Sequence, residues 1–359
     1  MKLIKYKLGD LIRQRRQKND SNDLPICGVT RDGFIPPKQQ DADTSLYNVF
    51  YLKDFVFNPA RMELNAIVFN DRYEKAICSS LYEVFYVHRP EVILPEYLAL
   101  LVKQDWFTRY CKFMGSGSAR EYCRVANISE LEIEVPPIEF QAEMARDNQI
   151  IRDRIELKRR INDNLEAQLS GVYHRFFDAP GNSVPGLISD LGEVVGGATP
   201  STDNPEYFCD DGIAWISPKD LTGTGLKFIY RGELCITESA YNSCSTKLKP
   251  AGTVLFTSRA PVGTVAIAMN DICTNQGFKS VIPKKEIGTA FVYYFLKENK
   301  QLIESHASGT TFMEVSGTVL KSIPAIVPKP EVASRFAAIC MPLFEEQRQN
   351  ELEIGRLQE

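Results

Sequence analysis

Metal-binding cysteine clusters are missing from this sequence. Nine cysteines are scattered along 359 residues without a CxxC pair, and only three histidines (His88, His174, His306) accompany them. A zinc site is therefore not expected, and free thiols in a reducing compartment are. Long apolar runs are missing too: no stretch approaches the ~20 residues that span a bilayer. The opening MKLIKYKLGDLIRQRRQKND turns charged before an apolar run develops, so the expected location is cytoplasmic, with no membrane partner. Net charge is small, at −4. It announces no nucleic-acid partner and excludes none, because a whole-chain sum averages over any local basic face.

Catalytic signatures are equally scarce. No GxSxG elbow, HExxH helix or Walker loop occurs. GVTRDGF (Gly28 to Phe34) has no βαβ context around it. FNPARM and EVPPIEF only faintly resemble the Asn-Pro-Pro-Tyr site of amino-methyltransferases, and no glycine-rich cofactor motif precedes them. Glu132 and Glu134 alternate with Ile133 and read as the solvent face of a strand, not as an acidic catalytic cluster. The chain by itself is not expected to be an enzyme.

What the sequence does contain is a second copy of itself. KLGDLI (Lys7 to Ile12) returns as DLGEVV (Asp190 to Val195), and FVFNPARMELNAIV (Phe55 to Val68) as TVLFTSRAPVGTVAI (Thr253 to Ile267), which aligns Arg61 with Arg259. AICSS (Ala76 to Ser80) returns as DICTN (Asp271 to Asn275). GSGSAREYCRVANISELEIEVPP (Gly115 to Pro137) returns as ASGTTFMEVSGTVLKSIPAIVPK (Ala307 to Lys329). Four matches in one order argue for duplication.

Each copy is followed by helix. Glu139 to about Asp178 is free of proline, and Ile151, Ile155, Leu165, Leu169, Val172 and Phe176 share one stripe at helical spacing. The last segment is helical again, with Phe336, Ile339, Leu343 and Phe344 as its apolar side and Pro342 expected to kink or restart it. A helix of ~40 residues is ~60 Å long, too long for one small domain to cover. An antiparallel pair holding the globular units at opposite ends of a rod is the expected arrangement; the alternative is that each helix packs only on its own domain. Within each unit, short β-branched or aromatic runs (Asn48 to Leu52, Val84 to Val87, Thr253 to Ser258) predict strands. One helix per unit is expected, at Leu94 to Phe113 and Gly288 to Ser305. The fold class is mixed α/β (α+β): residues 1–137 and 181–328 form two tandem domains, separated by helices over 138–180 and 329–359 that form an antiparallel coiled coil.

Two polar tips in the second copy stand out. GGATPST is followed by a short strand carrying Trp215, one of two tryptophans in the chain, and then by Ser217-Pro218-Lys219-Asp220. Polar side chains on stiff loops suit the fixed donor and acceptor patterns of base edges, while Lys, Arg, Ser and Thr suit phosphates. Ordinary surface turns share that composition, and Arg259 suits either DNA contact or a structural salt bridge.

The phrases LGEVVGGATPSTDNPEYF, GIAWISPKDL, GTVLFTSRAPVGTVAIA, NQGFKSVIP and ASGTTF resemble a target recognition domain of the specificity subunit of type I restriction–modification systems. The duplicated domain–helix order extends that resemblance over essentially the whole chain. It implies a non-catalytic DNA-recognition subunit, each domain reading one half of a bipartite double-stranded site while the helical pair sets the gap. It implies two modification (adenine methyltransferase) subunits and two restriction (motor–nuclease) subunits as partners. No cofactor is then bound by this chain; S-adenosylmethionine, ATP and Mg2+ serve the partner subunits. Candidate DNA-binding residues are Arg31, Asn58, Arg61, Ser118 and Arg120 in the first repeat. In the second they are Thr199, Ser201, Thr202, Lys219, Arg259, Asn275, Lys279, Thr310 and Thr311. The first repeat lacks the TPST and WISPKDL phrases and offers LPICGVTRDGFIPPK instead. The competing reading is a tandem-domain protein-interaction scaffold without DNA specificity.

Overall fold

The computed structural model describes residues 2–21, 23–37, 43–115, 122–222, 225–259, 261–308 and 313–358. They divide into two compact units, Met1–Asp153 and Arg154–Glu359, with the division inside the long helix. The first unit holds three sheets. Ile12–Arg15, Glu83–Val87, Phe55–Phe57 and Ile67–Phe69 lie side by side, all antiparallel. Gly33–Ile35, Ile26–Thr30, Lys75–Cys78 and Asn48–Tyr51 form a second sheet with one parallel pair, in which Cys27 faces Cys78. Ile4–Lys7 pairs with Glu132–Val135, and Glu132 and Glu134 are exposed there as their alternation predicts. Stacked Phe55 and Phe85, with ring centroids 4.8 Å apart, lie in the core.

The second unit repeats the plan. Gly192–Gly196, Lys279–Pro283, Val254–Phe256, Val265–Ala268 and Phe228–Ile229 form one sheet. Phe208–Cys209, Cys235–Ile236, Ile213–Ile216 and Cys273–Thr274 form another, again with a parallel pair, Trp215 facing Cys273. Ser183–Leu187 pairs with Pro324–Pro328. The duplication read from sequence is thus a duplication of sheet topology, with one refinement of register. Phe57 pairs with Ile67 as Phe256 pairs with Val265. Cys123 N–H donates to Pro59 O as Val315 N–H donates to Ser258 O. Main-chain bonding therefore makes Ala60, one residue before Arg61, the counterpart of Arg259.

The expected single helices are each broken in two. Pro95–Leu101 and Asp105–Gly115 are separated where Asn65 Nδ2 donates to the carbonyl of Val102 (2.8 Å) and Lys103 turns aside to main-chain carbonyls. Thr289–Glu298 and Lys300–Ser305 are separated at Asn299, whose side chain donates to Phe295 O (2.9 Å). In the first case tertiary hydrogen bonds, and in the second a local side-chain bond back to the preceding turn, override a sequence that would propagate helix.

The central helix runs Ile138–Phe177 and the final helix Pro330–Gln358, which stays one helix through Pro342. Within the second unit they pair antiparallel. Lys158 reaches Asn350 Oδ1 (2.8 Å) and Glu353 (2.9 Å), Asn350 Nδ2 donates to Asn162 Oδ1 (2.8 Å), and Tyr173 and Phe177 pack on Phe336. The buried stripe differs in part from expectation. Leu169, Phe336 and Phe344 are buried as expected and are joined by Tyr173, Phe177 and Cys340, whereas Ile151 and Ile339 are exposed. The reason is a third helix: Phe291 and Tyr294 of Thr289–Glu298 pack on Tyr173, and Tyr294 on Phe336, so the packing face is set by two neighbours at once. The middle of the seam is polar, with Gln347 and Asn350 buried. A buried Asn contact of this kind fixes register and orientation at a cost in stability.

Lys227 locks this arrangement to the sheet beside it. Its ammonium, 7 % exposed, lies 2.7 Å from Glu166 Oε2 on the central helix and donates to Gln347 Oε1 (2.9 Å) on the final helix. It also sits 3.8 Å from the Phe344 ring centroid and 4.5 Å from that of Tyr293. The Glu351 carboxylate accepts the backbone N–H groups of Lys227 and Phe228 (3.0 and 3.1 Å). Burial works against the Glu166 charge, but Lys227 and Lys297 override it and hold this carboxyl down at about 2. A lowered carboxylate contributes stability that is complete above its ordinary value of 4.5 and fades as pH falls through about 2. Glu166→Gln is expected to lower unfolding stability at pH 7 by roughly 3 kcal/mol. Chemical denaturation at a series of pH values checks this: the gap between the two proteins must narrow toward pH 2, and a gap constant with pH would contradict the assignment.

Candidate nucleic-acid interface

Five short segments of the second unit are tied to one another at one edge of its sheets. Trp215 Nε1–H donates to Ala198 O (3.1 Å), and Ala198 N–H to Thr274 O (3.0 Å), so the strand tryptophan pins the start of the TPST loop. Thr199 Oγ1 bonds Gln276 in the next segment. Asn275 N–H donates to Ile216 O (2.9 Å), bringing that segment beside Ser217. Ser258 N–H donates to Gly277 O (2.7 Å), and Val315 N–H to Ser258 O (3.0 Å). The chain of bonds links 198–199, 215–220, 274–279, 258–259 and 314–315 into one platform.

The side chains on it have distinct roles. Ser201 and Thr202 are exposed beyond the pinned base of their loop. Lys219 is exposed and paired with Glu233 (2.7 Å), while the Asp220 carboxylate accepts from Ser217 N–H and Oγ–H (both 2.7 Å) and so caps the short helix Pro218–Leu221. Asn275 Oδ1 accepts from Gly277 N–H (2.9 Å), which commits that oxygen to shaping its own turn. Arg259 Nε lies 3.0 Å from Glu314 Oε2, and Lys279 Nζ 3.5 Å from Oε1 of the same carboxylate. The salt-bridge alternative for Arg259 is therefore realised in the protein alone. Sequence reading missed Glu314, though it is the single carboxylate of the ASGTTFMEVS segment. Thr310 and Thr311 lie outside the described residues, as do Ser118 and Arg120 of the first repeat.

In the first unit, Arg31, Asn58 and Arg61 are brought to one region. Asn58 N–H donates to Ala66 O (3.0 Å), and its side chain caps the short helix Pro59–Leu64 that carries exposed Arg61. Lys103 Nζ donates to Arg31 O (2.6 Å) and Ile67 O (2.7 Å) and so ties the Arg31 turn to the strand beside Ala66. Burial, reinforced by Arg152 and Arg31, brings Lys103 down to about 8. Counting from the parallel pairs, Arg31 stands four residues past Cys27 and Lys219 four past Trp215, each followed by an aspartate. GVTRD thus occupies the topological place of ISPKD, a correspondence that sequence identity alone does not reveal.

A family model described as the type I restriction modification DNA specificity domain matches the chain twice, over residues 5–167 and 181–354. The chain belongs to that family. The match supports recognition of DNA sequence and not the scaffold alternative. Among similar proteins, the MjaIX specificity subunit of Methanocaldococcus jannaschii is 44 % identical over 154 residues, 42 % of this chain and 35 % of that protein. The HindI specificity subunit of Haemophilus influenzae is 21 % identical across 99 % of this chain and 96 % of its own length. The chain thus spans about a third of the former and nearly all of the latter. The crystal structure of a type I S subunit from M. genitalium shares the fold, with a TM-score of 0.58 at 13 % identity over 99 % of this chain and 93 % of that one. Among the described residues, no helix is long and apolar enough to cross a membrane.

The close packing at the base of the TPST loop yields a paired test. A Cβ on Gly197 would lie 2.1 Å from Thr274 O, whereas one on Gly196 meets nothing within 4 Å. Gly197→Ala is expected to cost on the order of 1–3 kcal/mol in unfolding stability, the usual penalty for forcing atoms into a packed site. Gly196→Ala should lie within about 0.5 kcal/mol of the parent. Equal thermal shifts for the two variants would show that the 197–274 contact does not organise the loop.

Proposed function

We propose that this chain is the non-catalytic DNA-recognition subunit of a type I restriction–modification complex, each unit reading one half of a bipartite duplex site. The observation that carries the reading is the repeated specificity domain, together with the pinned platform at which Thr199, Lys219, Arg259, Asn275 and Lys279 of the second unit gather. Residues 1–137 and 181–328 act as the recognition domains, and 138–180 with 329–359 as the spacer between them. Two modification subunits supply adenine methylation with S-adenosylmethionine. Two restriction subunits supply ATP- and Mg2+-dependent translocation and cleavage, all in the cytoplasm; no cofactor is held by this chain. Stiff loops suit base edges, and the surrounding Lys, Arg, Ser and Thr suit phosphates.

Filter binding on duplex DNA at several salt concentrations tests the core of this reading. Neutralising several phosphates makes log affinity fall linearly with log salt; a flat salt response would overturn it. Methylation of DNA by this chain alone, supplied with S-adenosylmethionine, would overturn the non-catalytic part.

The spacer role has its own test. Four residues inserted after Ile151, where Ile150 and Ile151 are exposed and the Asn162–Asn350 contact is untouched, lengthen the helix by ~6 Å and advance it by about one turn. Sequencing of methylated sites should show both half-sequences unchanged and the unspecified gap enlarged by about one or two base pairs, since a step along the duplex is ~3.4 Å. An unchanged gap would mean that the helix does not set the distance.

A further inference from the structure

We propose that Glu314 is a positioning residue for base readout, holding Arg259 by its Nε side so that the Nη1 and Nη2 end is presented to a guanine in the half-site read by the second unit. This inference rests on the DNA-recognition reading above.

The base of Arg259 is rigid. Thr257 and Ser258 are fully buried. Thr257 Oγ1–H donates to Pro261 O (2.7 Å) and accepts from Thr264 N–H (2.9 Å), closing the loop that follows Arg259. Ser258 is bonded to Gly277 on one side and Val315 on the other. Arg259 and Glu314 also face each other in an isolated antiparallel bridge, beside the main-chain pair Ser308–Glu314. The backbone around Glu314 is thus held without help from its side chain.

The side chain then does something separate. Its two carboxylate oxygens are divided between two cations: Oε2 lies 3.0 Å from Arg259 Nε, and Oε1 3.5 Å from Lys279 Nζ. Lys279 is mostly covered, at 16 % exposure, and is anchored by donation to Gln276 O (3.2 Å). Held between two cations, the carboxylate lies on the Nε side of the guanidinium and turns that side toward the protein. Arg259 itself stays 46 % exposed, and no hydrogen bond joins Nη1 or Nη2 to any described residue. Those two nitrogens form a parallel pair of donors. In the major groove only guanine offers two adjacent acceptors, O6 and N7, that match such a pair. A carboxylate beside the arginine also weakens its pull on phosphate, leaving one net positive charge on the Arg259–Lys279–Glu314 group, and does not touch the directional donors that a base contact uses.

The test uses the full chain assembled with its modification subunits and a duplex library randomised across the site, with sequencing of the bound fraction. The parent should enrich one half-site containing a required G·C pair whose preference collapses in Arg259→Ala. Glu314→Ala should relax that same pair by about tenfold or more, in line with loss of one bidentate base contact, and leave every other position unchanged. The double variant should be no less selective than Arg259→Ala alone, because Glu314 acts only through the arginine. Glu314→Asp, which keeps the charge, should restore part of the preference. Relaxation of different positions by the two single variants, additive losses, or a uniform loss of affinity in Arg259→Ala would each overturn the proposal while leaving DNA recognition intact. A parent library with no enriched sequence would instead overturn the DNA-recognition reading itself.

Discussion

A lysine ammonium removed from water ties the elements of the second unit together. Lys227 is held by Glu166, Gln347 and the faces of Phe344 and Tyr293, so one side chain touches both long helices, the Thr289–Glu298 helix and the sheet strand that begins at Phe228. Burial alone brings a lysine down, and Lys227 falls to about 8 against the pull of Glu166. An apolar residue of similar volume could match the net stability of such a pair. What an apolar residue could not do is penalise misalignment. Sliding either helix by one turn would leave a buried charge without its partner, along with Asn162, Gln347 and Asn350 without theirs. For a helix pair proposed to measure distance along DNA, a single register matters more than a large stabilisation.

The platform at the candidate interface is built by a different rule. Its segments belong to no common helix or strand; they meet because short strands end there and their last carbonyls and N–H groups find one another. Trp215 to Ala198, Asn275 to Ile216, Ser258 to Gly277 and Val315 to Ser258 are all bonds across long sequence separations. Such a design keeps the scaffold independent of what is mounted on it. The two units show this directly. They share three sheets each and the same parallel strand pair, yet carry Cys27 where the other has Trp215, Arg31 where the other has Lys219, and Ala60 where the other has Arg259. A duplicated scaffold with divergent tips is what reading two unlike half-sites requires.

The amino-acid sequence by itself determined the duplication, the strands, the existence and length of the two long helices and the family. These rest on local signals: β-branched runs between turn residues, a proline-free run of helix formers, and phrases such as WISPKDL that repeat family chemistry. Arg259 was legible as a candidate because a lone cation flanked by FTS and APVG stands out. Tertiary structure alone decided the rest. The stripe kept Leu169, Phe336 and Phe344 but lost Ile151 and Ile339 and gained Tyr173 and Phe177, because a third helix chose the packing face. The Leu94 to Phe113 helix broke at Val102, because Asn65 took the Val102 carbonyl and Lys103 was drawn to the carbonyls of Arg31 and Ile67. Arg61 and Arg259 ceased to be equivalent, because hydrogen-bond register and not residue identity decides correspondence. Glu314 gained its meaning only when a strand bridge set it against Arg259 and Lys279, 55 and 35 residues away in sequence, a separation over which no periodicity or local propensity carries information.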